Sequence, residues 1–142
     1  MELYQILFNM TDQIRPSKTR SIFYWIVTGL LTLGMLSGGV AQVSHQSATI
    51  EGLNHLGYPA YFATLLGSWK ILGVIALLIP RFVRLKEWAY AGFFFAMTGA
   101  VFSHIASGDE VSKMVAPFLF AVFTLLSWYL RPPSRTGSLA LN

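Results

Sequence analysis

The segment TLLGSWKILGVIALLIP, residues 64–80, places one ammonium group, that of Lys70, among leucines and isoleucines. An amine there must give up its proton, pair with an anion, or donate hydrogen bonds to an acceptor such as a carbonyl, a quinone or a lipid headgroup. Lys70 is nine residues past Tyr61 and ten before Pro80. At about 1.5 Å per residue it therefore lies roughly 13–15 Å from either end of a helix. Side chains lean toward the N-terminus of their own helix. In antiparallel neighbours Lys70 would lean one way and His104 the other, so that they approach in depth. Gln42 stands at a similar level, and Glu51, Asp109 and Glu110 in the flanking loops supply acid. We read Lys70, His104, Gln42, Glu51 and Asp109 as a candidate ligand-binding set. The alternative is a structural lysine bonded to backbone carbonyls or to Glu51. His104 taken alone reads as an interfacial hydrogen-bonding residue rather than a catalytic one.

Other chemistries find little in the chain. It has no cysteine, so thiolate nucleophiles, disulfide exchange and Cys-ligated metals are excluded. The histidines are His45, His55 and His104, and no metal-ligand spacing, phosphate loop or nucleophile–base set accompanies them. Haem ligation by His45 and His104 would need a loop histidine as axial ligand, which argues against it. No catalytic residue is assigned, and the reading leans away from an enzyme. Quinone is the one cofactor left open.

The elements that must position these residues are apolar helices. Hydrophobic residues make up 54% of the 142 and charged residues 11%, against about a quarter charged in a soluble domain. Four runs, at about residues 23–43, 61–80, 88–106 and 113–130, approach the roughly 20 residues that cross about 30 Å of hydrocarbon. Period-two alternation is absent, which argues against a β-barrel. A soluble bundle would carry a polar stripe on each helix, and these runs do not. The expected fold is an all-α membrane protein, a four-transmembrane-helix antiparallel bundle. Of ten Lys and Arg, eight flank one side: Arg15, Lys18, Arg20, Arg81, Arg84, Lys86, Arg131 and Arg135. The positive-inside rule then puts both termini in the cytoplasm. The net charge of +4 follows membrane topology rather than a basic face, so nucleic acid is not an expected partner.

Small residues mark candidate helix contacts: Gly34, Gly38, Gly67, Gly92 and Ala96. They serve either internal packing or a homodimer interface. The opening MELYQILFNM has no basic n-region or cleavage site, so it does not read as a signal peptide. Leu3, Ile6, Leu7, Met10 and Ile14 recur at helical spacing, so residues 1–20 read as an amphipathic or flexible segment. Residues 21–131 form the bundle and 132–142 a cytoplasmic tail.

The ordered set G-Y-P at 57–59, W-K-I-L-G at 69–73, L-I-P at 78–80, K-E-W-A-Y-A-G-F-F-F at 86–95 and S-H-x-x-x-G-D at 103–109 resembles the DoxX-like family of small bacterial membrane proteins. The resemblance covers about residues 20–131 and leaves the N-terminal eighteen outside. It implies a compact four-helix bundle in the bacterial cytoplasmic (inner) membrane. Lys70, His104 and Asp109 match family motif positions, whereas Gln42 and Glu51 come from topology. The family name derives from a subunit of a thiosulfate:quinone oxidoreductase, and relatives associate with oxidative-stress systems or act as assembly factors. Three functions follow as expectations. The first is a bundle binding a small lipophilic ligand or a membrane or peripheral redox partner. The others are a quinone-linked oxidoreductase subunit and a small transporter or assembly factor.

Overall fold

The computed structural model describes residues 1–6 and 17–136. Lys18–Val43 form α1, Ser47–His55 α2, Ala60–Leu78 α3, Val83–Ala106 α4, Val111–Leu130 α5 and Pro133–Thr136 α6. The described residues contain no strand. The helices α1, α3, α4 and α5 are long and apolar enough to cross a membrane. α1 packs on α3 and α5, and α4 packs on the same two, which puts α1 diagonally across from α4. Successive helices run antiparallel, and Arg20 Nη2 donates to the Tyr129 carbonyl at 2.9 Å, tying the start of α1 to the end of α5. One end of the bundle therefore carries the start of α1, the end of α5 and the α3–α4 turn. The other carries α2 and the α4–α5 turn.

Leu31, Met35, Val74, Leu77, Tyr90, Phe93, Met97 and Ala121 form the core. Outside it, Leu30, Leu33, Trp69, Leu72, Phe95, Phe102, Phe118 and Leu125 are exposed. So broad an apolar exterior far exceeds what a water-soluble monomer presents, and it is the surface a multi-pass membrane protein needs.

The helix ends differ from the expected bounds for local reasons. α1 starts at Lys18, ahead of the expected residue 23, because the Ser17 side chain accepts from the Arg20 N–H at 3.2 Å and caps it. α4 starts at Val83, ahead of the expected residue 88. Pro80 closes α3, Arg81 takes φ 73°, and the chain reverses within a few residues. The stretch RFVRLKE is thus mostly helix. In the 44–60 connection, α2 lies against α3 and α1 and buries no residue of its own. Residues 2–6 are helical and 18–20 open α1, while residues 7–16 of the expected N-terminal segment and residues 137–142 of the tail lie outside the described residues.

The α1–α3 crossing is the closest approach. A Cβ on Gly67 would sit 2.6 Å from the Gly39 carbonyl oxygen and 2.8 Å from Val43 Cγ2. A Cβ on Gly34 would meet the Phe120 ring at 2.1 Å. Gly38 lies beside Lys70, its Cβ position 3.7 Å from Nζ. Gly92 has open space around it, and with Ala96 it faces a cavity rather than a helix.

Candidate functional site

Lys70 sits on α3 between two seams. Its Cβ packs 3.2 Å from where a Gly39 side chain would start, on the α1 side. On the α4 side it lines a cavity of about 310 Å³ together with Trp69, Gly73, Trp88, Gly92 and Phe93, among others. This cavity exists because α3 and α4 form the loosest of the four seams, and because Gly73, Ala76, Ala89, Gly92 and Ala96 leave the wall thin. The Lys70 side chain makes no hydrogen bond or ion pair with any described residue. One turn farther along α1, Gln42 is 8% exposed and its Oε1 is buried without a hydrogen-bond partner. Its Cβ lies 2.9 Å from the Cβ position of Gly67. The α1–α3 seam thus holds an unanswered acceptor, and one turn away stands an unanswered amine.

At the α2 end the Asp109 carboxylate accepts two ring N–H bonds, from His104 Nδ1 at 2.7 Å and from His55 Nε2 at 2.7 Å. The first closes the turn after α4; the second fastens α2 to that turn. Two left-handed glycines, Gly57 at φ 83° and Gly108 at φ 70°, let the chain turn sharply on either side of the pair. The hydrogen bond from His104, and then that from His55, holds the Asp109 carboxyl below the usual carboxylate range. Tyr58 Oη bonds Ser103 Oγ at 2.7 Å, and His45 Nε2 bonds Thr64 Oγ1 at 2.7 Å.

The five residues expected to gather do not form one pocket. His104 and Asp109 meet, with His55 as a third member. Lys70 and Gln42 share the α1–α3 seam. Glu51 is exposed on α2 and has no hydrogen-bond or ion-pair partner among the described residues. No hydrogen bond joins Lys70 to His104, whose Nδ1 is taken by Asp109. Among the described residues no group of three or more His, Asp or Glu could hold a metal ion.

A second polar cluster, at the opposite end, escaped sequence reasoning. Lys86 is 1% exposed and donates from Nζ to the carbonyls of Ala76 at 3.1 Å, Leu77 at 2.8 Å and Ile79. These are acceptors that the end of α3 leaves unpaired. Arg131 pairs with Glu87 at 2.6 Å and lies over the Tyr90 ring, its Cζ 5.0 Å from the centroid. Glu87 also accepts from Trp128 Nε1 at 2.8 Å. Ser127 Oγ joins Tyr90 Oη at 2.8 Å and Thr28 Oγ1 at 2.7 Å, linking α5 to α4 and α1. The available signal was weak: a Lys-Glu pair just before one span and an arginine just after another.

The family model described as the DoxX-like family matches residues 26–127. No curated protein and no solved structure matches the chain.

Proposed function

Starting from the fact that the chain belongs to the DoxX-like family, we propose that it is a membrane-embedded binding protein for a small lipophilic molecule bearing a carbonyl or similar acceptor. The molecule occupies the α3–α4 cavity, and Lys70 donates to its acceptor group. The support is one relationship: Lys70, near mid-helix and with no side-chain partner among the described residues, lines an apolar cavity of about 310 Å³, while its Nζ stands in the adjoining α1–α3 seam, 3.7 Å from the Cβ position of Gly38, so that the flexible side chain would swing toward a bound acceptor. An uncompensated ammonium in hydrocarbon costs about 2.5–3.5 kcal/mol on insertion scales, and an acceptor on a bound molecule offsets part of that. Aromatic walls from Trp69, Trp88 and Phe93 suit a flat headgroup, and Leu72, Ala76 and Leu85 suit its tail. A quinone fits this description. The same reading places the chain in the bacterial inner membrane with both termini cytoplasmic, because Arg20, Arg81, Arg84, Arg131 and Arg135 all belong to one end.

The test is extraction and mass spectrometry of lipophiles retained by gently purified protein, wild type against Lys70→Met. The expected result is a retained lipophile in the wild type and a loss of roughly ten-fold or more in the variant, the scale of one charge-assisted hydrogen bond. Equal retention by a folded Lys70→Met protein, or none by the wild type, would overturn it.

A further inference from the structure

We infer that the α3–α4 turn is a headgroup site for an anionic phospholipid. This goes beyond the Lys70 reading and stands on Arg81 and Arg84, which do not line the α3–α4 cavity, although Leu85 and Trp88 border both. A groove of about 620 Å³ is lined by Arg81, Phe82, Val83, Arg84, Leu85 and Trp88. Arg81 and Arg84 are exposed there, and neither side chain makes a hydrogen bond or ion pair with any described residue. The left-handed backbone of Arg81, at φ 73°, brings its side chain to the same rim as that of Arg84 at the opening of α4. Phe82, Leu85 and Trp88 beside them are 61%, 43% and 76% exposed, an apolar wall turned outward.

Charge complementarity selects the occupant. Two guanidinium groups present forked donors that match the oxygens of a phosphodiester. The α4 N-terminus has no side-chain cap, and its positive dipole end faces the same place. Four other basic residues of this end are already engaged, Lys86 on the α3 carbonyls, Arg131 on Glu87, Arg20 on Tyr129 and Arg135 on Leu77, and Lys18 lies outside the groove. Trp88 belongs at the boundary between headgroups and hydrocarbon, so the phosphate of a neighbouring lipid falls at the level of the two arginines. The apolar wall then takes the first methylenes of the acyl chains, which free phosphate lacks.

Native mass spectrometry of the full chain in mild detergent tests this, with phosphatidylglycerol and phosphatidylcholine offered in equal amounts. Phosphatidylglycerol should be retained over phosphatidylcholine by roughly ten-fold or more, on the scale of two interfacial arginines. Combined Arg81→Gly and Arg84→Gln should erase the preference, and glycine suits the left-handed backbone, so the fold survives. Arg84→Gln alone should erase part of it. Lys18→Gln, an exposed charge at the same end outside the groove, should leave it unchanged. The inference is overturned if the preference survives in the double variant, if Lys18→Gln removes as much of it, or if added inorganic phosphate displaces the lipid.

Discussion

Lys86 Nζ lies 2.8 Å from the carbonyl oxygen of Leu77, inside the last turn of the preceding transmembrane helix. A lysine that reads as a loop charge is instead the C-terminal cap of α3. The partial negative charge at a helix C-terminus favours a cation there, and the Ala76 and Ile79 carbonyls depend on it, while that of Leu77 also accepts from Arg135.

Lys86→Met should therefore lower unfolding stability by about 2–3 kcal/mol, the range for charge-assisted hydrogen bonds whose acceptors are left buried. Thermal melting of the detergent-solubilised protein measures it. A melting temperature equal to that of the wild type would show that water replaces the ammonium at no cost.

The Asp109 contribution should depend on pH with a definite sign. Its folded carboxyl is held below the ordinary value by His104 and His55. The carboxylate bonds therefore stabilise fully above the unfolded value of about 3.9 and are lost as acid takes the pH down through the folded value. Melting temperature measured from pH 7 downward should stay level with respect to this group until about pH 4 and then fall. Asp109→Asn should melt lower at neutral pH and show a smaller fall on acidification. Parallel acid profiles in the two proteins would contradict the assignment.

Two glycines that look alike in sequence should respond differently to alanine. Gly67→Ala drives a methyl to 2.6 Å from a backbone carbonyl that cannot step aside without moving α1. A loss of about 1–3 kcal/mol is expected, the scale of overpacking. Gly92→Ala meets nothing within 4 Å. It should be neutral or gain up to about 1 kcal/mol from helix propensity. Steric-trap or thermal unfolding of the two variants side by side distinguishes them.

Membrane orientation is accessible to labelling because the chain has no native cysteine. Glu51→Cys on α2 should react with a membrane-impermeant maleimide on intact spheroplasts. Lys18→Cys should react only after lysis. The reverse pattern would invert the proposed topology and move the anionic-lipid site to the other leaflet.

The spans were legible because crossing hydrocarbon is a local demand: about 20 apolar residues in a row satisfy it wherever neighbours lie. The His104–Asp109 bond was partly legible for the same reason, since the two residues flank one tight turn. His55 was not, because it reaches Asp109 only after α2 folds back over the bundle. Gln42 and Lys70, expected at a similar level, both border the α1–α3 seam. Sequence alone put His104 with them, although its Nδ1 is held by Asp109.

Composition and hydropathy thus determined by themselves that the chain is a four-helix membrane protein. Tertiary structure alone decided which polar groups are answered and which are left over. Lys86, close to the end of a span, is satisfied because the carbonyls of α3 end beside it, whereas the Lys70 side chain, in mid-helix, has no partner among the described residues. The physical reason is that the length and hydropathy of a span are set by its own run of sequence, but side-chain burial and hydrogen-bond satisfaction are set by the helix that packs against it.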